Sequence, residues 1–503
     1  MNITSEHDRR DQPADPVAAR DALAGLWRAA GLPAEALSAV ELPGHEPILP
    51  SSFAVATAAQ ASLAAAALAA VEVLRRRTGR AQVQRVGIDM RHAALDCCCH
   101  FLLDGIAPDQ WDKLSGLYPC GADVGEPGHV RIHANFAHHR DGALALLGCP
   151  TGPETERISI EQALRRWRAQ DFEQAAADAG LVVAAVRSFE EWDRHPQALA
   201  IGALPTVCIE RIDGAPDARP LPWPAAGLDA VDARPLQGLR VLDLTRILAG
   251  PVAGRTLGVY GADVMLVNSP ALPNIAAIAE TSRGKLSAHI DLRHATGRDS
   301  LRALVRDAHV FLQAYRPDGL AALGFGPQEL ARLRPGIVVV SLSAYGHTGP
   351  WAGRRGFDSL VQTATGFNLA EAQAAGSSKP RALPMQILDY AAGHLLAFGA
   401  QAALLRQQAE GGSWHVRVSL AGVGTWLRGL GRVPHGLAAI RPAFDEPAFD
   451  EYLETLPSGF GRLTALRHPA RFEFAPTTWT RPAMPPGTHA PVWPDAITPG
   501  KDF

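Results

Sequence analysis

The chain of 503 residues is poor in several of the features that usually betray a function. It lacks a charge excess of either sign: 48 Lys and Arg stand against 51 Asp and Glu, a net −3. This balance leaves no electrostatic footprint for nucleic acid over the whole molecule, although a small anion needs only a local cluster. Its six cysteines form no C-x-x-C pair: Cys97, Cys98 and Cys99 are consecutive, and Cys120, Cys149 and Cys208 are scattered. A zinc site and a thioredoxin-type motif are therefore not indicated, and His92 and His100 beside the triplet do not change this. No G-x-G-x-x-G follows the first strand-like run of the second half, and P-loop, H-E-x-x-H and G-x-S-x-G motifs are absent. The opening MNITSEHDRRDQPADP has no apolar core of the signal-peptide type. Free thiols and this opening fit a cytoplasmic protein.

What is present is apolar and periodic. Hydrophobic residues make up 47% of the chain, enough for a sizeable core. FAVATAAQASLAAAALAAVEVLR (53–75) is long enough to raise a membrane span, but its Ala content and its Gln60, Ser62 and Glu72 favour a buried helix of a soluble protein. A Pro-, Ala- and Asp-rich stretch at 213–235 reads as a linker. After it, LRVLDLT, ADVMLVNS, KLSAHIDL, AHVFLQAY and GIVVVSLSAYG are strand-like, with helical patterns between several of them. That alternation predicts a parallel sheet covered on both faces, with ligands at the carboxyl ends of its strands. The fold class is α/β. A Rossmann-like large domain is expected over 236–430, a smaller α+β domain over 49–212, a disordered or extended segment over 1–48 and a tail over 431–503.

LRRRTGRAQVQRVGID (74–89) and LLRQQAEGGSWHVRVS (404–419) share a pattern, an Arg-bearing helix end, a Gly turn and alternating valines. Pairing Asp89 with Ser419 without gaps sets Ala59 against Asp389. Asp389 lies at the entry of an apolar helix, where an ionised carboxylate needs a partner. From the residues alone it reads either as a helix cap or as a reactive group. Arg283, Lys285 and Arg316 lie near strand ends and suit phosphate groups, or are ordinary surface charge. Tyr315 and Tyr345 suit stacking on a ligand, or core packing.

LQGLRVLDLTRILAGP, GADVMLV, SRGKLSAHIDL, YRPDGLAALGFGPQEL and SLSAYGHTGPWAGRRGFDSLVQTATG follow one another over about 180 residues. Together they resemble the successive signatures of the class III CoA transferases, a family that includes formyl-CoA and carnitine CoA transferases and alpha-methylacyl-CoA racemase. The first half resembles that family's carboxy-terminal half, so the order is rearranged and the long helix occurs twice. The resemblance implies coenzyme A as substrate and product, no metal, and Asp389 as the nucleophile. It implies that Ile247, Ala249 and Ile290 line the CoA channel. Expected partners are an acyl-CoA and a small carboxylate, with neither nucleic acid nor membrane. Assembly is expected as a pseudo-dimeric monomer or a homodimer. The sequence departs from the family at Ser269, Ala314 and Ser343. Racemases carry a His where Phe357 precedes Asp358. Three rivals stay open: an acyl-CoA racemase or isomerase, a non-catalytic CoA-binding protein, and an unrelated α/β binding protein in which Asp389 only caps its helix.

Overall fold

The computed structural model describes residues 16–79, 84–225, 228, 230–441, 444 and 447–494. The disorder expected for the first fifteen residues lies outside this set. Residues 19–29 within the expected extended segment are helical. Leu23, Leu26 and Trp27 recur there at helical spacing and are buried, which ties the helix to the core.

The Val-rich runs of the second half form the strands expected of them. In chain order they are preceded by α1 (Val55–Thr78) and by a small antiparallel sheet of β1 (Gly116–Cys120), β2 (Gly128–Ile132) and β3 (Val183–Ala185). The large sheet contains β4 (Cys208–Arg211), β5 (Arg240–Leu244), β6 (Asp263–Asn268), β7 (Lys285–His289), β8 (Val310–Gln313), β9 (Val338–Ser343) and β10 (Trp414–Ser419). Their spatial order is β7-β6-β5-β8-β9-β10-β4. All neighbours are parallel except β4, which pairs antiparallel with β10. This is the doubly wound order, with its switch point between β5 and β8, where such sheets bind ligands beyond the strand ends.

The first half is not a separate body, because its strand β4 closes one edge of the large sheet. At the other edge the Ser287 carbonyl of β7 accepts from the His489 N–H, the Ser287 N–H donates to the His489 ring Nδ1 at 3.0 Å, and Arg481 pairs with Asp263 at 2.7 Å, so the tail covers an edge that would otherwise be free. The stretch expected as a linker is held too. Arg77 donates to the carbonyls of Pro224 and Pro235, and Gln408 to that of Leu221.

Three further helices position the site: α2 (Ala249–Val259), α3 (Asp358–Ala364) and α4 (Ile387–Glu410). Helix α1 is apolar and long enough to cross a membrane, and its residues Val55–Leu74 are packed inside the protein. It lies along α4, where Gln401 donates to the Ala66 carbonyl at 3.0 Å. Gly393 lets α2 cross α4 closely, since a Cβ there would stand 2.6 Å from the Ala249 carbonyl oxygen.

Arg283 and Lys285, expected near phosphates, are instead buried cations. Arg283 pairs with Glu280 and with Glu454 at 3.2 Å, and stacks on Trp479. Lys285 pairs with Asp243 at 2.9 Å and donates to the Pro251 carbonyl at 2.8 Å. Both charges are committed to carboxylates before any ligand arrives, because buried charges persist only when paired.

Candidate active site

Helix α4 starts after Pro384, and its N-cap residue Gln386 makes no side-chain capping bond. The free N–H groups of a helix start still need acceptors. Here the acceptor comes from another helix: Asp358, at the start of α3, accepts from the Asp389 N–H at 2.9 Å. Gln362 and Leu388 also donate to it. The Asp389 carboxylate therefore does not cap its helix, and the Asp389 N–H is already engaged. Asp389 is 8% exposed and lines a cavity of about 590 Å³.

Burial raises the Asp389 pKa well above the ordinary carboxylate range, and the neighbouring Asp358 raises it further. Burial also pushes Asp358 up to about 7, offset in part by the hydrogen bonds it accepts and by the charge of Arg131. The two acids form a close pair that resists double ionisation.

The cavity joins both halves of the chain. Cys97, Cys98 and Cys99 line it, as do Arg131, His133 and Asn135 from β2 and the segment after it. A second cavity of about 360 Å³ sits beyond the ends of β5, β8 and β9. Ile247 and Phe357 line both cavities, so they mark where the two adjoin. Ile247 has φ = 76°, a left-handed conformation that strains a β-branched residue by about 1–3 kcal/mol.

The second cavity is cationic, with Arg246, Arg316, Arg354 and Arg355 in its lining. Arg354 is 3.8 Å from Glu173 and stacks on Trp351. Arg246 and Arg355 donate to the carbonyls of Pro273 and Gly180 and, among the described residues, have no carboxylate partner. Arg316 is exposed, and its charge lowers the pKa of Arg355 after burial has done so. Such like charges, crowded without acids, suit a polyanion.

Of the residues singled out from sequence, Asp389 and Ile247 line the first cavity, and Ile247, Tyr315 and Arg316 the second. Ala249 is buried at the start of α2 and Ile290 just after β7, and neither lines either of these two cavities. Tyr345 is buried against Trp351, with ring centroids 4.9 Å apart, which is the core-packing alternative. Sequence reasoning missed Arg246, Arg354 and Arg355. The signal was the Arg pair in GRRGF, where two adjacent cations and two glycines precede a buried helix.

The helix pairing also needs correction. The two long helices correspond by a shift of 332 residues, from Val55 to Ile387, and Asp389 faces Thr57 rather than Ala59 in that register. The gap-free shift of 330 holds only beyond the turn, where Asp89 and Ser419 each cap the next helix. The first copy has two more residues between Gly79 and Asp89 than the second has between Gly411 and Ser419.

The model of CoA-transferase family III matches residues 236–431. The chain is 34% identical over 229 residues to the "Probable fatty acyl-CoA transferase" of Mycobacterium tuberculosis, covering 43% of this chain and 57% of that one. It is 29% identical to an acyl-CoA transferase of Gibberella moniliformis, covering 76% and 72%. It is 33% identical to the succinate–glutarate CoA-transferase of Agrobacterium fabrum, covering 38% and 52%. The chain thus spans little more than half the length of the first and third of these relatives. A crystal structure of a CaiB/BaiF family protein from Brucella suis aligns with a TM-score of 0.34 at 27% identity, covering 45% and 65%.

Proposed function

We propose that the protein transfers CoA between an acyl-CoA and a carboxylate acceptor, with Asp389 as the nucleophile. The observation that carries this reading is that Asp389 faces a cavity while Asp358 does the capping, so the Asp389 side chain has no structural duty. The nucleotide phosphates of CoA bind at Arg246, Arg316 and Arg355, beside Tyr315. The pantetheine arm passes Ile247 and Phe357 to reach Asp389. The names of the relatives support CoA transfer as the reaction class.

Asp389 attacks the thioester carbonyl. A C–O bond forms, the C–S bond breaks and the CoA thiolate leaves, giving a mixed anhydride. The thiolate then attacks the aspartyl carbonyl and releases the donor acid, which leaves CoA as an aspartyl thioester. The acceptor carboxylate repeats the two steps in reverse and takes the CoA. Covalent catalysis of this kind splits one hard displacement into easier ones, and the burial of Asp389 limits the access of water to the anhydride. The rival, proton exchange at an α-carbon, needs a second base beside Asp389. Phe357 stands where racemases have His, and the imidazole stacked on it at 4.0 Å, His133, is pushed down to about 3 by burial, which makes it a weak base.

The test is Asp389→Asn, with transfer measured alongside hydroxylamine trapping of acyl-enzyme. Loss of both, with CoA binding kept, supports the reading. Near wild-type transfer, or trapping on another residue, overturns it.

A further inference from the structure

We propose that Arg131 is an anion-binding residue of the Asp389 cavity, and that the acyl group handled there carries a second, distal carboxylate. The inference rests on the reading of Asp389 as the acyl-accepting residue and names the class of substrate.

Arg131 is 8% exposed and lines the same cavity as Asp389. The other deeply buried arginines are matched by acids. Arg255 holds Asp96 and Glu280, Arg283 holds Glu280 and Glu454, and Arg187 holds Glu173. Arg131 is the exception: among the described residues it has no hydrogen-bond acceptor and no ion-pair partner. Its Nε is buried without one, and its nearest ring contact is Trp111, 5.6 Å from the guanidinium carbon. An unpaired buried cation is costly, and a site that keeps one is poised for an anion.

The anion is not supplied by the nearby acids. The Asp358 oxygens are occupied by the Asp389 N–H and Gln362, and its charge reaches Arg131 only through space. Asp389 is raised by burial and by Asp358, with no cation offsetting it. Arg131 and Asp389 line one cavity without forming an ion pair. Leu248, Leu383, Met385 and Phe357 supply apolar lining to the cavity the two groups share. Two other acids line it, Asp109, which is exposed, and Asp112, which faces Arg140 at 3.6 Å. A guanidinium accepts a planar carboxylate through two parallel N–H bonds. An acyl group with its thioester at Asp389 and a carboxylate at its other end satisfies both of these groups.

The test compares succinyl-CoA with butyryl-CoA as donors, for wild type, Arg131→Met and Arg131→Lys. We expect the ratio of kcat/KM for succinyl-CoA over butyryl-CoA to fall about ten- to a hundredfold in Arg131→Met, with partial recovery in Arg131→Lys. A ratio that is unchanged in Arg131→Met, or that does not favour succinyl-CoA in wild type, overturns the proposal. A second measurement does not need turnover: free glutarate is expected to raise the melting temperature of wild type more than butyrate does, and to lose that advantage in Arg131→Met. Equal shifts by the two acids in wild type also overturn it. If neither acyl-CoA transfers its group while glutarate still protects wild type alone, the anion site stands and the transferase reading falls.

Discussion

Helices α1 and α4 are two versions of one device, and they differ at the point where the chemistry is placed. Each has 24 residues. Each begins after a residue of nearly the same conformation, Ala54 (φ −77°, ψ 60°) and Gln386 (φ −83°, ψ 60°). In each the N–H of the third residue donates to an acid from another segment: Thr57 to Glu46 at 2.8 Å, Asp389 to Asp358 at 2.9 Å. In the first copy the segment bearing Glu46 is fastened over the helix mouth, where the Pro43 carbonyl accepts from Gln60 and Met90. In the second the mouth opens on the large cavity. Capping from outside leaves the Asp389 side chain free, whereas the Thr57 hydroxyl is itself bonded to Glu46. Only the open copy fills that position with a carboxylate.

The largest effect is expected from erasing that difference. Asp389→Thr makes the second helix mouth like the first. Transfer should drop by about a thousandfold or more, because no covalent intermediate can form. The fold should survive, because Asp358 still caps the helix. The converse, Thr57→Asp, should create no second site, since neither cavity reaches Thr57. It should instead cost about 2–4 kcal/mol by burying a carboxylate beside Glu46. Hydroxylamine-labile acyl groups counted by mass spectrometry should number one per chain in wild type, none in Asp389→Thr and one in Thr57→Asp. Two in the last variant would mean that the first mouth opens in solution.

A smaller effect separates the two capping acids. Glu46→Ala and Asp358→Ala each leave a buried N–H without its acceptor, at about 1–3 kcal/mol, read as a shift in the denaturant midpoint. Only Asp358 is coupled to a reacting group. Its charge raises the pKa of Asp389, so Asp358→Asn should move the acid limb of the transfer rate to lower pH, with Glu46→Gln leaving that limb in place. The stability profile has a defined sign. Both carboxyls of the pair sit above their unfolded values, Asp358 at about 7. The folded state therefore holds its protons more tightly. The resulting stabilisation is complete below about pH 4 and is lost as pH rises through about 7. Unfolding at a series of pH values should show this decline in wild type and a flatter curve in Asp358→Asn. Burial raises Glu46 as well, so a residual slope from the first copy should remain.

The strands around the switch point were legible because each is a short Val- or Leu-rich run bounded by turn residues, which is how a strand buried on both faces must read. The helix bearing Asp389 was legible for the same reason. Its role was not: an acid at a helix entry has the residue type of a cap, and the true cap, Asp358, lies 31 residues upstream in the chain. Lys285 was misread because sequence position does not reveal an acid brought alongside by the fold, and its partner Asp243 is distant in the chain; Arg283 has one such distant partner, Glu454, but its other, Glu280, lies only three residues before it. Arg131 was not singled out at all. In HVRIHAN the apolar residues alternate with Arg131, His133 and Asn135, a pattern that reads as a strand with one face in water. That face lines the cavity instead, because the first half folds onto the helix mouth of the second.

The smallest effect concerns the seam between the two copies. Ser62 and His394 are equivalent positions under the shift of 332, and they touch each other, Oγ to Nδ1, at 3.2 Å. A residue that meets its own equivalent marks where a local two-fold axis passes, so this bond lies at the crossing of α1 and α4. Burial pushes His394 down to about 4, which keeps the ring neutral and its pairing with a hydroxyl sufficient. Ser62→Ala removes the partner and leaves a buried ring nitrogen alone, at about 0.5–1.5 kcal/mol. Combined with His394→Leu in a double-mutant cycle, it should show a coupling energy of about 0.5–1 kcal/mol in unfolding. The transfer rate of Ser62→Ala should match wild type, because the bond lies more than a helical turn from Asp389. Strict additivity in the cycle would mean that the seam is held by packing alone and that the two copies are related in shape without sharing a polar contact.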